Sequence, residues 1–139
     1  MTLATRAAAA VGAALLLLPA TTASAVPATS RATVLQAHLV PSGDADGSGK
    51  ATVRLRPAVR RVCATISWSG IQKPSAAHIH RRSDDQVVVD LTGSVTGGAR
   101  CVRAPRALIR AIAARPGRYY LNVHNATYPA GAVEGTLHP

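Results

Sequence analysis

The sequence of 139 residues lacks phenylalanine, and aromatic residues make up only 3% of it. A hydrophobic core must therefore consist mainly of Val, Leu, Ile and Ala, together with Trp68 and some of the tyrosines. Aromatic side chains that could stack on bases are scarce, and no recognised nucleic-acid module is present. These scarcities argue against a specific nucleic-acid partner.

Acidic residues are also few, because six Asp and Glu stand against 16 Lys and Arg and leave a net charge of +10. The arginines concentrate in two zones. One zone contains Arg54, Arg56, Arg60 and Arg61, and the other contains Arg100, Arg103, Arg106, Arg110, Arg115 and Arg118. Such zones create a positive field that favours anionic partners without specifying one.

Long hydrophobic runs are missing after the first 25 residues. The start of the chain combines Arg6, an apolar run at 7–18 and the small-residue pattern Ala23-Ser24-Ala25, which predicts a secretory signal peptide at residues 1–25. No later segment approaches the roughly 20 apolar residues that a membrane-spanning helix needs. We expect a secreted, extracellular protein with a loose N-terminus at 26–32, one domain at 33–139 and no membrane span in the mature chain.

Only two cysteines occur, Cys63 and Cys101. In an exported chain an even number of cysteines predicts a disulfide. A metal site or a redox pair would need closer spacing than these two residues have. In the chain-entropy model, a bridge closing a loop of about 38 residues contributes about 3–4 kcal/mol.

Apolar and polar residues alternate along most of the chain, which is typical of half-buried strands. The alternating segments lie at about 34–39, 51–56, 62–68, 76–80, 87–91, 119–124 and 133–137. One segment differs: Pro105 opens a helical pattern that Pro116-Gly117 ends, with Leu108, Ile109 and Ile112 on one side. We expect an all-β protein, an antiparallel Greek-key-like β-sandwich of about seven strands with one short α-helix.

Two histidine-containing segments resemble a known family. The first is Ala76-Ala77-His78-Ile79-His80, and the second runs from Tyr119-Tyr120-Leu121-Asn122-Val123-His124 through Tyr128-Pro129-Ala130-Gly131. Together with Val88-Val89-Asp90-Leu91, Cys63, Cys101 and the final Gly135-Thr136-Leu137, their order resembles the CHRD domain, named for its occurrence in chordin. The resemblance implies an extracellular module that binds or supports other components without catalysis.

The histidines are the candidate metal ligands. His78 and His80 are two residues apart, so on one strand they share a face while Ile79 takes the other. If Ile79 and Val123 both face the core, His124 lies on the same polar face as the histidine pair. Neutral imidazoles gathered there could bind copper or zinc, provided that their ring nitrogens approach within about 4–5 Å.

Three functions remain open at this point. The histidines could hydrogen-bond across strands in a non-catalytic structural or binding module with an unknown extracellular or cell-envelope partner. They could instead form a metal site similar to the His-x-His and distant His of copper/zinc superoxide dismutases. Such a redox copper centre uses a fourth imidazole, however, and His38 and His138 lie at the two extremities of the domain without a matching context. The arginine zones could bind anionic envelope polymers. No nucleophile motif or separated carboxylate pair signals an enzyme.

Overall fold

The computed structural model describes residues 31–139. The predicted signal peptide at 1–25 and nearly all of the predicted loose N-terminus at 26–32 lie outside the described residues, so those domain boundaries stay predictions. Within 31–139, none of the helices has the length and apolar character required to cross a lipid bilayer.

The described chain forms eight strands in one antiparallel sheet. They are β1 (Thr33–Pro41), β2 (Ser48–Arg56), β3 (Arg61–Ser69), β4 (Ala76–Arg81), β5 (Gln86–Asp90), β6 (Cys101–Arg103), β7 (Tyr119–His124) and β8 (Val133–Thr136). The predicted all-β class and antiparallel pairing are confirmed. Alternation did not reveal β6, because a strand of three residues is too short to display a period.

The strand order is β5-β4-β7-β8-β1-β2-β3-β6, and β1 connects the two halves of the sheet. Residues Thr33–Leu39 pair with β2, whereas Val40 and Pro41 pair with β8. This change of partner bends the sheet until it is nearly closed. The two edge strands, β5 and β6, line the same cleft: β5 contributes Val88 to its wall, and β6 contributes Val102.

The core lies inside the curved sheet and consists largely of aliphatic side chains, as the lack of phenylalanine predicts. Alternate residues of β1, β2 and β3 point inward, and Trp68 packs partly buried against the core. The largest fully buried side chains are Leu35, Val53, Leu55, Val62, Ile79, Leu91, Ile109, Ile112, Leu121, Val123, Val133 and Leu137.

Two α-helices connect strands. The predicted helix is confirmed as α2 (Arg106–Ala114), which buries Ile109 and Ile112 and follows Pro105. Pro105 is the N-cap residue, with a ψ of 137°, and its carbonyl oxygen accepts a hydrogen bond from the Ile109 N–H. The chain also forms α1 (Gly93–Thr96), a single turn between β5 and β6 that the sequence pattern did not reveal.

The predicted disulfide between Cys63 and Cys101 is confirmed. The two residues are directly opposite each other on β3 and β6, with their Cα atoms 4.0 Å apart. Because β6 has only three residues and pairs with β3 alone, the bridge anchors this short edge strand covalently.

Candidate metal centre

Antiparallel pairing of β4 with β7 brings the three candidate histidines to one region. His78 is opposite Asn122, His80 is opposite Tyr120, and Ala76 is opposite His124. The alternate residues of both strands supply buried apolar side chains to the core: Ala77, Ile79, Leu121 and Val123. The face that the sequence predicted for the histidines therefore agrees with the strand register.

The polar face of β4 and β7, which carries the histidines, is largely covered. The alternation of apolar and polar residues in the sequence did not predict this burial. All six residues of β7 are buried, and the exposed fractions of His80 and His124 are 8% and 9%. The cover includes the loop after β7, where Asn125 Oδ1 accepts hydrogen bonds from the backbone N–H groups of Thr127 and Tyr128. Gly131 ends this loop at a φ of 138°, and a Cβ there would lie 2.6 Å from Asn122 Oδ1.

The imidazoles approach one another closely. His78 Nδ1 and His124 Nε2 are 3.1 Å apart, and one ring nitrogen from each of His78, His80 and His124 lies within 4.8 Å of the others. In a tetrahedral site with metal–nitrogen distances near 2.1 Å, ligand nitrogens are about 3.4 Å apart. The His78–His124 pair already has about this separation.

Backbone carbonyls orient two of the three rings. His80 Nδ1 is 2.8 Å from the Asp85 carbonyl oxygen, and His124 Nδ1 is 2.9 Å from the Pro129 carbonyl oxygen. Because a carbonyl oxygen only accepts, each Nδ1 carries the proton and donates it. In the neutral ring the Nε2 lone pair is then free, and this arrangement is how proteins commonly orient metal-binding histidines.

His78 has the opposite orientation. Its Nδ1 faces His124, while its Nε2 lies 3.9 Å from Asp90 Oδ1. A proton on Nε2 would be attracted by this carboxylate and would leave the Nδ1 lone pair directed toward the other histidines. All three rings therefore have an outer nitrogen near an acceptor and an inner nitrogen near the cluster.

Asp85 supports the His80 ring in two ways. Its backbone has a φ of 54°, which is uncommon for a residue other than glycine, and its carbonyl accepts the His80 hydrogen bond. Its side chain accepts a hydrogen bond from the Tyr120 hydroxyl at 3.2 Å, and the Tyr120 ring stacks on His80 with centroids 5.0 Å apart. Sequence reasoning missed the Asp85 and Pro129 carbonyls because backbone acceptors leave no side-chain pattern.

Burial lowers the pKa of both His78 and His124 because it disfavours the charged imidazolium. His124 lowers the pKa of His78 further, whereas Asp90 raises it and opposes part of the shift. Both rings are consequently neutral at pH 7, the protonation state in which imidazole binds metals.

Comparison with protein families gives the chain its classification. Residues 28–137 match the sequence model of the CHRD domain. The chain belongs to the CHRD domain family. The resemblance drawn from the two histidine segments is thus confirmed over most of the chain. Neither a curated protein nor a solved structure matches it.

The other two histidines of this CHRD domain lie outside the cluster. His38 and His138 stack on each other with ring centroids 5.7 Å apart, and Gln36 and His138 form an isolated bridge beside β1. Within residues 31–139, the group of potential ligands contains His78, His80 and His124 without a fourth imidazole. His38 and His138 thus contact each other rather than the three candidate ligands.

The CHRD domain is expected to lose stability as the pH falls below about 6.5. The pKa values of His78 and His124 are lower in the folded than in the unfolded chain, so the unfolded chain binds more protons in this range. The free energy of unfolding is then highest above the unfolded value of about 6.5 and decreases as the pH falls toward the folded values. Urea unfolding at several pH values, with chelator present, measures this decrease.

The matched control for this measurement is the double variant His78→Gln/His124→Gln, which has no imidazole to protonate at either position. We expect it to show a clearly shallower decrease over the same range. Asp84 and Asp90 have lowered pKa values, so their contribution to stability is lost only below about pH 4. Identical slopes for the wild type and the double variant would contradict the assignment to these histidines.

Proposed function

We propose that this protein is a secreted, non-catalytic CHRD-domain module that binds one copper or zinc ion through His78, His80 and His124. The observation that carries the proposal is the convergence of three imidazoles whose inner nitrogens lie within 4.8 Å of one another. Secretion is supported by the signal-peptide pattern at 1–25 and by the disulfide, which persists in oxidising compartments.

A purely hydrogen-bonded cluster accounts for the geometry less well. The His78–His124 contact could be one hydrogen bond, but His80 Nε2 is buried and has no hydrogen-bond partner among the described residues. Leaving a buried polar atom unpaired costs about 1–3 kcal/mol. A metal ion shared by the three rings would use this lone pair.

The ligand set favours zinc or copper over calcium and magnesium. Imidazole nitrogen suits zinc and copper, whereas calcium and magnesium prefer oxygen ligands. Three histidines leave at least one coordination position for water or a donor from another molecule. Because His80 and His124 are more than nine-tenths buried, the site suits a small ion better than an organic substrate, and we therefore propose binding rather than catalysis.

Metal titration of the purified mature chain tests this function. Isothermal titration calorimetry with Zn²⁺ and with Cu²⁺ at pH 7.5 is expected to give one ion per chain. His80→Ala and His124→Ala should each lose most of the affinity. His38→Ala and His138→Ala are the matched controls, because each removes one imidazole outside the cluster, and they should bind as the wild type does.

Two results would reject the metal site. A wild type that binds neither ion would favour the alternative, a module whose histidines serve only as a hydrogen-bonded support. Equal binding by the wild type and by the two cluster variants would place the metal elsewhere on the chain. Circular dichroism of each variant shows whether it retains the fold.

A further inference from the structure

Positive charge concentrates on the outer face of strands β2, β3 and β6. Arg56 on β2 is directly opposite Arg61 on β3, and Arg61 is directly opposite Arg103 on β6. Arg54 lies two residues from Arg56 on the same face, and all four residues are exposed. We call these four residues, Arg54, Arg56, Arg61 and Arg103, the arginine row.

Acidic residues do not neutralise the arginine row. The six acidic residues of the whole chain lie on or beside other strands: Asp44 and Asp46 between β1 and β2, Asp84 and Asp85 between β4 and β5, Asp90 on β5, and Glu134 on β8. Asp90 lines the same cleft as Arg103 but forms no ion pair with it. Within residues 31–139, the ion pairs are Arg81–Asp84 and His78–Asp90. The row therefore keeps its full positive charge.

Stability does not explain this arrangement. Like charges directly opposite each other on neighbouring strands destabilise a sheet, and the row contains two such contacts in succession. The adjacent Arg60 has a left-handed backbone with a φ of 54°, a conformation that glycine or asparagine adopts more easily. Strained backbone such as that of Arg60 is commonly found at functional sites.

The dimensions of the row favour a polymer over a small anion. Arg56, Arg61 and Arg103 extend over three strands, and two strand spacings amount to about 10 Å. A small anion contacts one or two guanidinium groups at a time, whereas a chain with regularly repeated charges can contact all of them. Each planar guanidinium can also bind a carboxylate through two parallel hydrogen bonds.

A cleft beside the row combines positive charge with an exposed apolar side chain. It has a volume of about 340 Å³ and is lined by Arg60, Arg103, Ala104 and Pro105. Pro105 is exposed and offers an apolar contact to the C–H face of a sugar ring, and the arginines can bind its acidic group, whereas Ala104 is buried. Trp68, the aromatic residue of β3, packs against the core, so stacking on nucleic-acid bases has no support on this face.

We propose that the arginine row and the adjoining cleft bind a linear acidic polysaccharide that carries a carboxylate on each sugar. This surface shares no residue with the histidine cluster on β4 and β7, although Arg103 and Asp90, the carboxylate 3.9 Å from His78, line one cleft. Polysaccharide binding therefore does not depend on the proposed metal site, and either proposal can fail without the other.

Calorimetric titration with polygalacturonate tests the proposal. We expect binding that weakens strongly between about 50 and 300 mM salt, because exposed charges are screened. The variant Arg56→Gln/Arg61→Gln/Arg103→Gln should bind at least tenfold more weakly. It should unfold at the same or a higher temperature than the wild type, since the opposed charges are gone.

A charge-matched variant separates the row from the general positive charge. Lys73→Gln/Arg115→Gln/Arg118→Gln also removes three exposed positive charges, and it should retain binding within about threefold of the wild type. His80→Ala should bind the polymer as the wild type does. Fully methyl-esterified polygalacturonate, which lacks the carboxylates, should not bind.

Three outcomes would overturn the proposal. The first is absence of polygalacturonate binding at low salt. The second is equal weakening in the two triple variants, which would indicate attraction by net charge alone. The third is binding to a single-stranded oligonucleotide of similar charge that is as tight as binding to polygalacturonate and is lost in the same variant.

Discussion

Replacing Cys63 and Cys101 together by alanine is expected to lower the free energy of unfolding by about 4 kcal/mol. The bridge joins residues 38 positions apart, so it greatly restricts the unfolded chain. It also holds β6, a three-residue strand that pairs with β3 alone. For a domain of this size the predicted loss is a large share of the typical 5–15 kcal/mol of total stability.

Urea unfolding of the double-alanine variant and of the wild type, followed by circular dichroism, measures this loss. Thr65→Ala is a suitable control, because it changes an exposed residue of the same strand without touching the bridge, and it should alter stability by less than about 1 kcal/mol. In the double-alanine variant, amide hydrogen exchange should become faster than in the wild type, and β6 should be the first strand to show this increase. A loss below about 1 kcal/mol in the double variant would contradict the proposed anchoring role.

Leu121→Ala is expected to lower the free energy of unfolding by about 3 kcal/mol. Leu121 lies in the middle of β7, is fully buried, and faces Ile79 on one neighbouring strand and Gly135 on the other. Removing its side chain leaves a cavity among rigidly paired strands, which can close only in part. The lost contacts and the residual cavity both contribute to the cost.

Val34→Ala provides the matched comparison, since Val34 is 38% exposed and also lies on a strand. Its substitution should cost well under 1 kcal/mol. Leu121 faces the core, so its truncation should leave the metal stoichiometry at the histidine cluster unchanged as long as the variant is folded. Equal costs for the two substitutions would show that the centre of β7 is not packed as described.

Much of the fold could be predicted from the sequence because its strands are half-buried. Alternation of apolar and polar residues identified seven of the eight strands, and the proline and glycine positions identified α2. The strand β6 was missed because it is too short to show a period, and α1 because one helical turn has little pattern of its own. The disulfide followed from the even number of cysteines and the expectation of export.

The candidate site was predictable only in part. Because side chains alternate between the two faces of a strand, His78 and His80 were predicted to share one face. The apolar residues of β7 were expected to face the core, which put His124 on the polar face as well. That reasoning treats each strand alone, so it could not reveal the register that brings His124 near His78. Nor could it reveal the Asp85 and Pro129 carbonyls, because every residue type presents the same backbone acceptor.

The sequence by itself determined the strand composition, the aliphatic core, the cysteine pair and the excess of arginine over acidic residues. These are properties of local pattern and composition, which short-range physical rules describe well. Only the tertiary structure decided that the three imidazoles meet beneath covering loops and that Arg56, Arg61 and Arg103 form one row across three strands. Both arrangements depend on strand register, which is set by the packing of residues far apart in the chain.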